Sequence, residues 1–282
     1  MAINTNEMKK YYSFDLKDGY PYFTEKNLLL IDALIRYNSD YSVTSDKNHP
    51  EYKESYTYLL ESKKVDFFNF EEDVLEKVVK SIDKINSTHL TSEGNSVPKG
   101  EHDGITKTVN KIKKIDNLKE RMMVGDPTVV FEIASAVETK YNFSFASKFC
   151  TYVCELALDK KDGYCIYDDV VQAILPLYIY RYVGKETAKK YCKIVNKNKP
   201  DIRRIESDVS QLKSKNKENG YREYRALIDA ILKGVKEIDG IDITYSQFDH
   251  MLWYYFKGSK QRVQEALNSL VLWKNWCCKK TP

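Results

Sequence analysis

The sequence predicts an all-α protein, and three observations carry that expectation. Apolar residues recur at helical spacing along most of the chain, no segment shows clean two-residue alternation bounded by turn pairs, and glycine and proline are scarce, with 11 and 7 in 282 residues. A 42% apolar and 30% charged composition can bury a real core, which argues against extended disorder. The length suits one large domain or two modest ones. The longest apolar runs, Leu28–Ile31 and Val271–Trp273, are far too short to cross a bilayer. Met1-Ala2-Ile3-Asn4-Thr5 lacks the basic-then-apolar pattern of a secretory signal, so a cytoplasmic protein is expected.

In chain order, the first apolar stripe uses Val74, Leu75, Val78, Val79, Ile82 and Ile85, within about Val65 to Asn86. Ser87 to Gly104 is polar and glycine-containing, and reads either as a linker or as a loop facing nucleic acid. The charge sign changes there. Residues 1–104 carry a net −6 and residues 105–282 a net +10, which suggests an acidic N-terminal helical region and a basic second domain. The next stripe is Ile105, Val109, Ile112, Ile115 and Leu118, with Lys107, Lys111, Lys114 and Arg121 off it.

Thr128 to Asn142 then reads as a helix capped by Thr128, with Val130, Ile133, Ala134 and Val137 on one face. Ser144 is placed to cap a second helix, Phe145 to Leu158. The short connection around Tyr141-Asn142-Phe143 uses Asn142 for a left-handed turn, making a tight helix–hairpin–helix. After the loop Asp159 to Tyr164, Asp168 occupies an N-cap position ahead of Val170, Val171, Ile174 and Leu175. Lys185 to Lys217 holds eleven basic and four acidic residues, fitting either a polyanion partner or a solvated helical surface. Lys213 to Gly220 is a short polar break. Leu227, Ile228, Ile231, Leu232 and Val235 form a further stripe, and helical spacing continues through Met251, Leu252, Tyr255 and Val263 to Val271.

The six cysteines include no CxxC pair, and the four histidines are dispersed, so no structural metal, iron–sulfur cluster or other cofactor is expected. Lys148 lies early in the second hairpin helix. Its side chain leans back toward the positive end of the helix dipole, where an amine is disposed to act as a nucleophile. A carboxylate at the next helix N-terminus can oppose it.

The stretch Lys148-Phe149-Cys150-Thr151-Tyr152-Val153-Cys154-Glu155-Leu156-Ala157-Leu158-Asp159-Lys160, followed by Ile166-Tyr167-Asp168, resembles the catalytic stretch of helix–hairpin–helix DNA glycosylases, with the 8-oxoguanine glycosylase branch closest. The resemblance runs from Thr128 to Val171. Lys148 and Asp168 fall on the family's catalytic lysine and aspartate, 20 residues apart and within one residue of the family spacing. Ile243 to Trp253 is similar, more weakly, to the C-terminal helix of bacterial relatives in which an aspartate and a Leu-Trp pair face the base. Two departures stand out. Lys140-Tyr141-Asn142-Phe143-Ser144 replaces the family's glycine-bearing hairpin, and residues 1–104 offer no counterpart to the mixed β domain of many members.

The resemblance implies a two-lobed, all-helical glycosylase-like fold and a duplex DNA partner bearing a damaged or modified base, with no membrane. It implies catalysis by Lys148 and Asp168, with Asp169 as the alternative carboxylate. Asp249, Trp253 and Phe256 would form the base pocket, and Lys140, Tyr141, Asn142 and Ser144 would contact DNA. The aromatic run Trp253 to Phe256 also fits a plain core. Base-excision repair and antiphage defence both suit such an enzyme. A non-catalytic nucleic-acid-binding relative and a helical protein-interaction module are the alternatives.

Overall fold

The computed structural model describes residues 13–44, 67–69, 72–86, 90, 104–136, 141–196, 203–209 and 217–272. Helix accounts for 71% of them, in eleven α-helices. The chain forms two compact units that interleave along the sequence: residues 1–37, 168–211 and 226–282 supply the first, residues 38–167 and 212–225 the second. The charge boundary at residue 104 lies inside the second unit.

The first unit opens with a two-residue-stranded hairpin, β1 (Leu16–Lys17) against β2 (Tyr20–Pro21). Asp18 and Gly19 both take positive φ, 57° and 84°, the pair that a tight hairpin turn demands. Helix α1 (Glu25–Thr44) follows. Its buried Asn27 ties the hairpin down, donating to the carbonyls of Asp15 (3.0 Å) and Tyr22 (2.7 Å) and accepting from the Asp15 amide (2.8 Å).

The central helix of this unit is α7 (Asp169–Tyr182), apolar nearly all round, with eight buried residues. Tyr178 donates its hydroxyl to the Pro21 carbonyl at 2.9 Å, and the Arg181 guanidinium stacks 3.8 Å from the centre of the Tyr20 ring. Pro176 sits inside α7, so no amide there can reach the Gln172 carbonyl. The Ser207 hydroxyl donates to that carbonyl instead.

Ser207 ends a second hairpin, β3 (Cys192–Asn196) antiparallel to β4 (Arg203–Ser207), which follows the short helix α8 (Lys185–Lys189). This corrects the wholly helical expectation for the basic stretch 185–217. Ile194 pairs with Ile205 across the ladder, and the β-branched residues at 194, 195 and 205 favour extended backbone.

Helix α9 (Lys217–Asp239) gives its C-terminal part to this unit. At Gly234 a Cβ would overlap the Tyr182 carbonyl, so glycine permits the close approach of α9 to α7. Tyr182 also donates to Asp239 Oδ2 at 2.7 Å. Helices α10 (Tyr245–Phe256) and α11 (Lys260–Leu272) pack on α7, and Phe23, Tyr178, Tyr182 and Phe248 form an aromatic core with centroids about 6 Å apart.

The second unit has a 3₁₀ turn at Phe67–Asn69, then α2 (Glu72–Asn86), α3 (Gly104–Lys113), α4 (Leu118–Met123), α5 (Pro127–Ala134) and α6 (Phe143–Ala157). The expected stripes are buried here: Leu75, Val78, Val79 and Ile82 on α2, and Ile105, Val109 and Ile112 on α3. Helix α6 supports α2, α4 and α5. The N-terminal part of α9 contributes Tyr221 and Tyr224, both fully buried.

Candidate active site

The first hairpin helix is shorter than its apolar spacing implies. Helix α5 ends at Ala134 rather than Asn142, and the Ser135 hydroxyl turns back to the Glu132 carbonyl (2.8 Å). Its cap is Asp126, not Thr128. Asp126 Oδ1 accepts from the Thr128 amide at 2.9 Å, and Pro127 fills the first helical position, where no amide is needed. Arg121 braces this start, donating to Asp126 Oδ2 (2.8 Å), the Thr128 hydroxyl (2.7 Å) and Glu132 (2.5 Å). Burial pushes the Asp126 carboxyl up, but hydrogen bonds from Thr128 and Arg121, with the charge of Arg121, hold it below the usual carboxylate value.

Helix α6 begins two residues earlier than expected. Asn142, not Ser144, is its cap, accepting from the Phe145 amide at 3.0 Å. With φ −97° it is not left-handed. Its own amide donates to the Ala134 carbonyl (3.0 Å), closing α5 onto α6. Tyr141 is half-buried and stacks on Phe131 and Phe143, with centroids 5.7 and 6.2 Å away. Lys140 lies outside the described residues.

Lys148 sits on the second turn of α6 and is only 6% exposed. Its Nζ reaches back one turn and donates to the Ser144 hydroxyl at 3.3 Å, the lean that helix geometry dictates. Ser147 is fully buried beside it, and Thr151 follows one turn later at 8% exposure. Burying an ammonium-bearing chain and two hydroxyls on one helix is costly unless they are engaged, and these are. The Thr151 hydroxyl donates to the Tyr164 carbonyl (3.3 Å), and the Ser147 hydroxyl accepts from the Tyr167 amide (2.9 Å).

The segment Tyr164 to Tyr167, which is neither helix nor strand, is fixed at each residue. Tyr221 donates to the Cys165 carbonyl (2.7 Å) and accepts from its amide (3.2 Å). Tyr224 donates to the Ile166 carbonyl at 2.7 Å, and its ring meets that of Tyr167 edge-on at 4.8 Å. Tyr164 donates its own hydroxyl to the Asp126 carbonyl at 3.1 Å. Ser147, Thr151, Tyr221 and Tyr224 carry no local sequence signal for this role, because their partners are distant in the chain.

The next residue is Asp168, the N-cap of α7 as expected. It is 8% exposed, and Oδ1 accepts from the Val170 amide at 2.8 Å. Asp169 is exposed and accepts from Gln172 at 3.4 Å. On α10, Phe256 is a core residue, Asp249 is half-buried, and Trp253 is 38% exposed with Lys257 Nζ 5.9 Å from its ring centre. Thr244 and Gln247 form a reciprocal capping box at that helix's start.

Burial disfavours the thiolate form of both thiols on α6. Burial pushes Cys150 well above the ordinary thiol value and Cys154 to about 12. Among the described residues, no group of three or more His, Cys, Asp or Glu side chains is gathered so as to hold a metal ion, and no helix is long and apolar enough to cross a membrane.

A family model described as the N-terminal domain HI_0787_N matches residues 36–156. The match takes in α2 to most of α6, including Lys148, and stops short of Asp168. No curated protein and no solved structure matches the chain.

Proposed function

We propose that this chain is a DNA N-glycosylase that excises a damaged or modified base from duplex DNA, with Lys148 as nucleophile and Asp168 as the fixed carboxylate. The observation that carries this is the hydrogen bond between the Tyr167 amide and the Ser147 hydroxyl. It ties the residue before Asp168 to the residue before Lys148, although 20 positions separate them in sequence. The near-complete burial of both Lys148 and Asp168 adds to it, since such groups are rarely buried without a task.

In this mechanism the target base is extruded into a pocket, because a stacked base is out of reach. Tyr141 fills the vacated stack. Asn142 is spared that role, since its side chain already caps α6. As the glycosidic bond lengthens, positive charge develops on the sugar, and the Asp168 carboxylate stabilises it. Lys148 Nζ gives up a proton and bonds to C1′ while the base departs with the bonding electron pair and is protonated. Opening of the sugar ring leaves a Schiff base, from which β-elimination expels the 3′ phosphate. Without lysine attack, Asp168 activates water and an abasic site remains.

Borohydride trapping on a panel of duplexes with single modified bases tests this. The wild-type chain gives a covalent adduct on at least one duplex, Lys148→Ala gives none, and Asp168→Asn binds but does not excise. Binding with neither adduct nor abasic site on any duplex favours a non-catalytic nucleic-acid-binding protein. Absence of binding favours a protein-interaction module.

A further inference from the structure

The first turns of α6 are buried at every position but one. From Asn142 to Thr151 each residue is buried except Ser144, which is half-buried. The one opening in this stretch therefore carries a hydroxyl, on the second residue of the helix. That same hydroxyl accepts from Lys148 Nζ at 3.3 Å. It joins a buried amine to the position of the stretch that meets solvent.

Ser144 is also free to act and fixed in place. Asn142 supplies the cap of α6, so the Ser144 hydroxyl is not spent on a backbone amide. The Ser147 hydroxyl donates to the Ser144 carbonyl at 3.3 Å while accepting from the Tyr167 amide at 2.9 Å. The backbone under Ser144 is thereby tied to the clamped segment Tyr164 to Tyr167. A serine hydroxyl has one hydrogen to donate and two lone pairs to accept with. Accepting from Lys148 leaves its own hydrogen to donate to water.

An ammonium has no lone pair, so a lysine that attacks carbon must first shed a proton. A buried amine needs a carrier for that proton, and a positioned side chain can serve. An ammonium carries three N–H bonds. The one directed at Ser144 Oγ has a route outward, whatever the other two meet.

We propose that Ser144 is the proton relay for Lys148, a catalytic residue that touches the attacking atom. This role rests on the glycosylase reading of Lys148 as the nucleophile. In the step, one Nζ–H bond of Lys148 breaks and a new Oγ–H bond forms on Ser144. The original hydroxyl hydrogen of Ser144 passes to a water molecule, which leaves as hydronium. Serine ends neutral, and the freed Nζ lone pair forms the bond to C1′.

The test follows borohydride-trapped adduct in single turnover, with the full chain in excess over the modified duplex that wild type traps best. Ser144→Ala slows adduct formation on the order of a hundredfold, with duplex affinity unchanged. Ser144→Thr keeps a hydroxyl on the same carbon and forms adduct at the wild-type rate. In mixtures of light and heavy water, the wild-type rate falls along a curve, because two hydrogens move together. The Ser144→Ala rate falls along a straight line. An alanine variant at the wild-type rate overturns the relay and leaves the glycosylase reading standing. So does a slow alanine variant with the wild-type isotope curve, since the hydroxyl then only positions the amine. Lost duplex affinity with an unchanged rate at saturation makes Ser144 a DNA contact instead of a relay. Wild-type excision without any adduct removes the relay and keeps a glycosylase working through water. Neither excision nor adduct on any duplex removes both.

Discussion

Helices α6 and α10 both carry residues to which the sequence points for chemistry, yet they are built on opposite plans. Helix α10 buries Phe248, Met251, Leu252 and Phe256, all apolar, while its polar residues Ser246, Gln247, Asp249 and His250 are half-buried. Helix α6 buries ten of its fifteen residues, among them Ser147, Lys148 and Thr151. A helix needs only an apolar stripe to dock. The polar burial on α6 therefore goes beyond the needs of packing, and its hydroxyls fix a non-helical segment that local structure leaves unpaired. The contrast places the structural investment around Lys148 and makes α10 a partner in packing first.

Four checks sharpen this contrast. The largest effect is on trapping: Lys148→Ala abolishes the borohydride adduct, whereas Trp253→Ala retains it at reduced yield, as gel-resolved adduct will show. Next, Ser147→Ala leaves the buried Tyr167 amide without its acceptor and costs about 1–3 kcal/mol in urea unfolding. A loss below about 0.3 kcal/mol there would show that the hydroxyl is incidental and break the contrast. Asn142→Ala and Thr244→Ala each remove a cap worth about 1 kcal/mol, so equal losses are expected at the two helix starts. Cap chemistry is common to both plans. Smallest is Trp253→Ala itself, within about 0.5 kcal/mol in stability because the ring is partly solvated.

Acid adds a fifth check, on the brace beneath α5. Asp126 titrates below its ordinary value in the folded chain, so its contribution is present above about pH 4, the unfolded carboxylate value. It is lost as pH falls through the folded value. Unfolding midpoints of Asp126→Asn, followed by circular dichroism, should converge on wild type in that range.

The helices were legible because their apolar faces repeat locally. Val74 to Ile82 and Ile105 to Ile112 declare α2 and α3 without tertiary information, and Asp168 announces itself as a cap by preceding an apolar run. Boundaries were less so. Val137 continues the stripe of α5 on paper, but the helix stops where the Ser135 hydroxyl competes for a backbone carbonyl. The Asp18-Gly19 pair is a strong hairpin signal, and the strands on either side are too short to display alternation. The β3–β4 hairpin is masked by lysines, whose long side chains suit either backbone. Least legible were the clamps from Tyr221 and Tyr224 to residues 165 and 166, since no local pattern links a phenol to a carbonyl more than 50 residues away.

Pro176 carries a lesson about assembly order. A ring in place of an amide leaves one carbonyl of α7 facing outward with nothing of its own helix to meet it, and the hydroxyl of Ser207 answers from a hairpin. The defect acts as an address: it marks where along the helix that strand must dock, at a position that an unbroken ladder would leave anonymous. Restoring an amide with Pro176→Ala would tidy the helix and remove the label, and the hairpin's register against it would then depend on side-chain fit alone.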